Sequence, residues 1–380
     1  MVLSEIQLSN FRNHTDSKLT FSPKINLISG DNGQGKTSLI EAISYCCLTK
    51  SIFTNHDYEP LQFNKTWFSI FSTLTSDIGF TYKNQIRYNY EKKEKNFLIN
   101  NLNISNMSSA VGRFPVVFLY PELSSITMGG PAERRKFLDI LLSQSSKSYL
   151  EDLLDYKRII KQRNAILSNP ETKFNKELIE PWNELLIKRG SKIIHHRINF
   201  VNDFKPHLTK NYSEISGFKE EIDMEYKTQF ELSKNTSISE IETSLNKELI
   251  KEKFKEAQRG VSLVGPHRDD LVFKLNGHPV IQFASQGQHK TILITLKFAE
   301  YSFLQEACHE TPIVLLDDIF SELDNLRTER LLVKLLTLGQ TFITTTISTE
   351  SKTFEKFGSA IEKFIIKEGS SFLATSVYKE

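Results

Sequence analysis

The sequence predicts an α/β protein: a head with a mixed sheet, flanking helices and an antiparallel subdomain, joined to a mostly helical second lobe. Three observations carry this. Residues Gly30 to Thr37 read Gly-Asp-Asn-Gly-Gln-Gly-Lys-Thr, a complete G-x-x-x-x-G-K-[ST] phosphate-binding loop between an apolar strand pattern and a helical one. A second apolar run, Ile313 to Leu316, ends far downstream in Asp317-Asp318. Between them the hydrophobic period changes from that of strands to that of helices.

Taken in order, Leu3 to Leu8, Lys18 to Phe21 and Lys24 to Ile28 read as strands, with a loop from Asn10 to His14. The phosphate loop follows, with a helix starting at Thr37. Residues 66 to 105 alternate at period two, through Trp67, Ser69, Phe71, Ile86, Tyr88 and Tyr90, which predicts antiparallel strands. Asn100-Asn101 suits a hairpin turn. Val116 to Leu119 is a further strand. Pro131 sits where a helix tolerates proline, in its first turn. Leu150, Leu153, Tyr156, Ile160 and Leu167 then share one helical stripe, broken at Asn169-Pro170. A second long helix carries Trp182, Leu186, Ile193, Arg197, Phe200 and Phe204, and Pro206 is expected to end it. Strands return over 261 to 283, with Asn276-Gly277 as a hairpin turn. A helix follows Ser285, and Ile313 to Leu316 and Thr341 to Thr346 are strands. The expected division is a head from 1–120 and 259–380, with 121–258 as the helical lobe inserted between them.

Composition excludes several classes. Hydrophobic residues make up 39% and charged residues 25% of the 380, with a net charge of +2, so nucleic-acid binding requires a local basic patch. No run approaches the 18 apolar residues of a membrane span, and the N-terminus has no signal-peptide pattern. Cys46, Cys47 and Cys308 show no metal-ligand spacing. The expectation is a cytoplasmic protein with no membrane partner.

The loop fixes the ligand class. Glycines at 30, 33 and 35 let successive backbone N–H groups of Gly30, Asp31, Asn32, Gly33, Gln34 and Gly35 turn toward phosphate oxygens. Lys36 would reach the β- and γ-phosphates of ATP, and the Thr37 hydroxyl would ligate Mg²⁺. Asp317, closing an apolar strand, stands where a carboxylate holds the metal, and Asp318 would orient the attacking water. Ser-x-Gly-Gln at Ser285 to Gln288 opens a helix and offers a hydroxyl, flexible N–H groups and a positive dipole end. It reads either as a second anion site or as a capped helix start.

Phosphate loop, Ser-x-Gly-Gln, strand-Asp-Asp and Ser321-Glu322-Leu323-Asp324 occur in that order in ABC-type ATPases of the SMC and DNA-repair branch. More closely, the chain resembles the RecF family of bacterial recombination mediators. The matching segments begin with Leu8 to Asn13, Gly30 to Ser38, Pro121-Glu122-Leu123 and Gly130 to Asp139. They continue with Gln162-Arg163-Asn164, Gly265 to Asp270, Ala284 to Lys290 and Leu315 to Asp324. The resemblance implies an ABC-type head that dimerises around two ATP molecules and hydrolyses them slowly when stimulated by DNA. It implies a mediator at gapped or single-stranded DNA junctions and stalled forks, needed for replication, repair and SOS induction, with RecO and RecR as partners. It further implies that Ser285 and Gln288 cross to the partner's ATP, and that Arg12 and Asn13 contact nucleotide beside the loop. The chain departs from the family at His289-Lys290, and Thr344-Thr345-Thr346 lacks the histidine that transporter ATPases place nearby.

Competing classes fit less well. The stretch from Lys36 to Asp317 is far longer than a transporter head needs, and a GTPase would need an Asn/Thr-Lys-x-Asp element that is missing. Gly265 to Asp270 reads as a metal-ligating turn or as a salt-bridged turn tying the lobes together. Arg134 and Arg135 lie at a helix start, where cations are disfavoured, so an anionic partner such as DNA phosphate is one reading. Lys188, Arg189 and Lys192, continuing to His195, His196 and Arg197, are candidates for a basic DNA-binding stripe.

Overall fold

The computed structural model describes residues 1–54, 56–216, 220–232, 236–322, 325–346, 360–367 and 370–373. Of the Ser-Glu-Leu-Asp motif, Leu323 and Asp324 lie outside these. Along the chain, β1 (Val2–Phe11), β2 (His14–Thr20) and β3 (Ile25–Ser29) lead to α1 (Lys36–Leu48). Next come β4 (Trp67–Thr75), β5 (Thr81–Asn89), β6 (Glu94–Ile99), β7 (Leu102–Asn103) and β8 (Val116–Leu119). Then follow α2 (Ser125–Met128), α3 (Pro131–Ser145), α4 (Lys147–Ser168), α5 (Lys176–Ser216), β9 (Ile222–Lys227) and α6 (Ile238–Arg259). After these run β10 (Asp270–Leu275), β11 (His278–Pro279), α7 (Val280–Phe283), α8 (Gln286–Cys308) and β12 (Ile313–Asp317). The last elements are α9 (Asn325–Leu335), β13 (Thr341–Thr345), β14 (Ile361–Lys367) and β15 (Ser370–Leu373). Among the described residues no helix is long and apolar enough to cross a membrane.

The chain divides into two compact units, Met1–Glu122 with Leu304–Glu380, and Leu123–Phe303. The first holds two six-stranded sheets. One runs β2-β1-β4-β5-β6-β7 and is antiparallel throughout. The other runs β15-β14-β3-β13-β12-β8, parallel except for its β14–β15 edge. Every residue of β3, β8, β12 and β13 is buried, as expected of parallel strands covered on both faces. Leu27, Ile28 and Leu315 are within 1% of complete burial, and each contributes about 1.5–3 kcal/mol by leaving water. The buried Gln340 side chain stitches the two sheets, accepting from Leu3 N at 2.6 Å and donating to Leu3 O and Ser22 O.

The second unit holds α2 to α7, α8 as far as Phe303, and the antiparallel sheet β11-β10-β9. Its helices carry one fully buried and one partly buried ion pair. Arg163 meets Glu256 through both guanidinium Nη atoms, and Arg197 meets Asp139 at 2.8 Å. Both hairpin turns read from sequence form, with positive φ at Asn100 and Asn101 and at Asn276 and Gly277.

Two expectations need correction, and two strands escaped the sequence reading. Pro206 does not end its helix: α5 continues to Ser216, with Pro206 inside it. The lost N–H removes one backbone bond, but Leu208, Asn211 and Tyr212 beyond the proline are buried, and that packing holds the helix. The helical lobe contains a strand, β9, which the low hydrophobicity of Asp223 and Glu225 conceals. The boundary expected after residue 258 falls instead after Phe303, because β10 pairs with β9 and so belongs with the helical unit. Finally, β14 extends the parallel sheet beside β3, a strand that the sequence reading did not identify.

Candidate functional site

The phosphate loop leaves the carboxyl end of β3 and enters α1, the place in a parallel sheet where ligands bind. Gly30, Gly33 and Gly35 all have positive φ, at 151°, 80° and 109°. Gly30 is also sterically required, and Gly35 is tightly enclosed. A Cβ on Gly30 would lie 2.5 Å from the Ile366 carbonyl oxygen, and one on Gly35 would lie 3.1 Å from His14 Nε2. At Gly33 a Cβ would meet nothing, so only the conformation demands glycine there. Asp31, Asn32 and Gly33 form the exposed rim of the loop.

Neighbouring residues hold the loop's carbonyls outward. Asn13 Nδ2 donates to Gly33 O at 2.7 Å, and the buried His14 ring lies 3.2 Å from Gly35 O and 3.0 Å from Ser17 Oγ. Lys36 Nζ donates to Gly30 O and Asp31 O at 2.7 and 2.8 Å. Arg12, beside Asn13, pairs through two nitrogens with Glu41 on α1, and Ser51 Oγ also donates to Glu41. Asn13 therefore touches the loop itself, whereas Arg12 anchors the helix that follows it.

The two halves of the expected metal site meet. Thr37 Oγ1 lies 3.1 and 3.0 Å from the two carboxylate oxygens of Asp317, across 280 residues of sequence. Parallel pairing produces this: β12 and β3 both flank β13, so their carboxyl ends stand at one edge. Thr344, on β13, donates its hydroxyl to Asp317 Oδ1 and accepts the Asp318 N–H at 3.0 Å. Asp318 adopts φ 48°, a strained conformation for aspartate, directly after the strand.

Electrostatics fit a divalent cation. Burial raises the Asp317 carboxyl above the usual range. Asp318 and Glu122 raise it further, and hydrogen bonds from Thr344 and Thr37 oppose the shift. Burial lowers the Lys36 ammonium, against the pull of Asp318, Asp317 and Asp31. Carboxylates clustered beside a hydroxyl at the mouth of a phosphate loop are the oxygen donor set that Mg²⁺ takes. Thr37 and Asp317 are the residues that would hold it.

Ser285 and Gln288 lie in the second unit at the start of α8. They form a reciprocal cap, Ser285 N to Gln288 Oε1 at 2.7 Å and Gln288 N to Ser285 Oγ at 3.3 Å. Gln288 Nε2 also donates to Glu220 at 2.7 Å, and Ser285 is exposed. A cap of this form leaves the hydroxyl at the surface.

The candidate DNA contacts separate. Arg134 is buried, paired through two nitrogens with Asp270 at 2.8 and 2.9 Å and bonded to Gly129 O. It is therefore not available to a DNA phosphate, and Asp270 explains a cation at this helix start. Arg189 pairs with Asp152 and Asp155, and Arg197 is fully buried, so the expected stripe reduces at the surface to Lys188 and a half-buried Lys192. The Gly265 to Asp270 turn bonds within its own unit rather than tying the lobes together: His267 to Tyr156, Arg268 to Ser262, Asp269 to Tyr226. Sequence reasoning missed His14, Glu41 and Thr344. His14 was placed only at the end of a loop, and Thr344 only in a strand and for lacking a histidine.

The chain matches the RecF/RecN/SMC N terminal domain family over residues 2–370. It is 41% identical over 352 residues to the DNA replication and repair protein RecF of Chloroherpeton thalassium, covering 91% of this chain and 95% of that one. To the protein of the same name from Lysinibacillus sphaericus it is 37% identical, covering 97% and 99%. The solved recombination mediator protein RecF-ATPrS of the RecFOR pathway superposes with a TM-score of 0.90 at 31% identity, over 98% of each chain. The RecF-ATP structure gives 0.86 at 30%, over 98% of this chain and 97% of that one. An SMC head bound to the C-winged helix domain of ScpA, at 12% identity and a TM-score of 0.52, shares the fold.

Proposed function

This chain belongs to the RecF family, within the RecF/RecN/SMC group, and from that membership we propose that it is an ATP-dependent DNA-binding recombination mediator. One observation carries the reading: Thr37 and Asp317 converge to 3.0 Å beside Lys36. The solved relatives carry ATP or its analogue in their names, which supports ATP as the ligand here. Gly30 to Gly35 present backbone N–H groups to phosphate, Lys36 supplies charge, and Asn13 keeps the rim in place. Mg²⁺, when bound, would neutralise charge on the phosphates. Asp318 orients the attacking water, and its strained backbone, fixed by Thr344, holds it for that role.

Two copies bind ATP between them, with Ser285 and Gln288 of one reaching the phosphates held by the other. The exposed hydroxyl at a helix start supports this, since it offers an anion-binding group outward rather than into its own unit. ATP thereby controls dimerisation, and dimerisation controls DNA binding at gapped or single-stranded junctions in the cytoplasm. The pathway named for the solved relatives supports RecO and RecR as partners. Replication-fork repair and SOS induction follow from that place. Hydrolysis is slow and stimulated by DNA, and it releases the clamp. Lys188, Lys192 and Arg135 are the candidate contacts to DNA phosphate that remain.

Lys36→Arg tests this. Removing a charge-assisted contact costs about 1.5–3 kcal/mol, or roughly ten- to hundred-fold in ATP affinity. ATP-dependent retention of a gapped duplex, measured by fluorescence anisotropy, is expected to fall in parallel. Retention of the duplex at wild-type ATP dependence by this variant would overturn the reading.

A further inference from the structure

Two segments singled out in the sequence, Pro131 to Arg135 and Gly265 to Asp270, take no part in the nucleotide site. In the second unit they meet at a cavity of about 170 Å³, whose polar lining is Arg135, Asp139, Tyr156, Lys157, Arg197 and His267, beside four apolar residues. Three cations there face one carboxylate, and that carboxylate is engaged: Asp139 accepts from Arg197 at 2.8 Å and from Tyr149 OH at 2.6 Å. Arg135 makes no ion pair among the described residues. Its guanidinium donates to the Asp269 main-chain oxygen at 2.8 Å and is otherwise half-exposed. Lys157 stands exposed at the rim with no carboxylate partner among the described residues.

The walls are held by hydrogen bonds, and they compensate Arg197 but leave Arg135 and Lys157 without an ion-pair partner among the described residues. Arg197 is fixed by four partners: Tyr149, Tyr226, Pro266 O and Asp139. Tyr156 OH is held 2.7 Å from His267 Nδ1, and a Cβ on Gly265 would come within 2.3 Å of that hydroxyl, so only glycine admits the tyrosine. Burial, and after it the neighbouring Arg197, lowers the Arg135 guanidinium, although Asp270, Asp139 and Asp269 pull the other way. Burial also pushes the Asp269 carboxyl up to about 7, so at neutral pH it offsets only part of the arginine charge. Burial likewise pushes His267 down to about 4, with Arg268, Arg135 and Arg163 adding to the shift and its bond to Ser262 O opposing it. The histidine is therefore a neutral wall beside the arginines.

We propose that this cavity binds a phosphate monoester, gripped by the Arg135 guanidinium with Lys157 closing the rim, while Arg197, held by its own partners, forms a cationic wall. A planar guanidinium with free N–H groups, beside an ammonium, at a small cavity matches the oxygen geometry of phosphate. The volume admits one phosphate group with its nearest neighbours and not a duplex backbone. The source is either a small phosphate or the terminal phosphate of a nucleic-acid strand. The site stands apart from the nucleotide reading and does not depend on it.

The test is calorimetric titration of inorganic phosphate into the full chain, with the phosphate loop filled by Mg²⁺ and a non-hydrolysable ATP analogue, and again in Lys36→Ala. One phosphate per chain is expected in both backgrounds. Affinity is expected to fall at least about tenfold in Arg135→Gln, the loss of one charge-assisted contact. Lys157→Gln, at an exposed position, is expected to lower it several-fold, and Arg158→Gln, outside the cavity, to leave it unchanged. Anisotropy with 5′-phosphorylated and 5′-hydroxyl oligonucleotides separates the sources. A preference for the phosphorylated strand that Arg135→Gln abolishes assigns a strand end, and equal affinity assigns a small phosphate. No phosphate binding, or binding that is unchanged in both Arg135→Gln and Lys157→Gln, overturns the proposal.

Discussion

Thr344 shows how much of a site depends on a residue that carries no motif. Its hydroxyl donates to Asp317 and accepts from the Asp318 main chain, so one side chain holds a carboxylate of one aspartate and the backbone of the next. Residues that orient metal ligands are typically worth about 10–100-fold in metal affinity. Thr344→Val keeps the shape and deletes the hydroxyl. The Mg²⁺ concentration giving half-maximal ATP binding is expected to rise about tenfold, with binding restored at saturating Mg²⁺. An unchanged Mg²⁺ titration would remove Thr344 from the site. The loop, Lys36, Thr37 and Asp317 were legible because their chemistry constrains spacing within one segment. Thr344, His14 and Glu41 were not, because their roles depend on strands and helices that only the fold brings together. Arg134 was legible as an anomaly, a cation at a helix start, but the anion it serves is Asp270, 136 residues away.

Elements carry two further expectations. In α5, Pro206 removes the bond to the Asn202 carbonyl, and a proline inside a helix costs about 3 kcal/mol relative to alanine. Pro206→Ala is expected to stabilise the chain by about 1–3 kcal/mol in urea unfolding. A loss of stability would show that the proline's own packing outweighs the missing bond. The periodic reading failed here because it weighed the local break and had no measure of the tertiary burial of Leu208 and Tyr212. At the head of β10, the buried Asp269 carboxyl titrates near 7, raised chiefly by burial. Below about pH 4 it is protonated both folded and unfolded, and folding carries no penalty from it. As pH rises from about 4 to 7 the unfolded chain ionises first, so stability falls, and above 7 the loss is complete. The melting temperature of Asp269→Asn relative to the parent is therefore expected to rise across that interval and then level off. A difference independent of pH would mean the carboxyl titrates normally.

For the whole molecule, the units divide the chemistry. Phosphate loop, Thr37, Asp317 and Asp318 belong to the unit made of both chain ends, and Ser285 and Gln288 to the unit between. That division is what the proposed two-copy site, with Ser285 and Gln288 reaching the phosphates held by a second chain, would build on. Fold class was readable because buried parallel strands and an alternating antiparallel region leave different periods in sequence. The boundary at Phe303 was not, since β10 looks like any strand until its partner β9 is known.

Light scattering in Mg²⁺, with and without ATP, tests the shared site most directly when wild type is compared with Ser285→Arg. The expected result is a monomer that becomes a dimer on ATP addition, and a variant that binds ATP with wild-type affinity yet stays monomeric. A wild-type chain that binds ATP and remains monomeric, or a Ser285→Arg chain that dimerises as well as wild type, would contradict it.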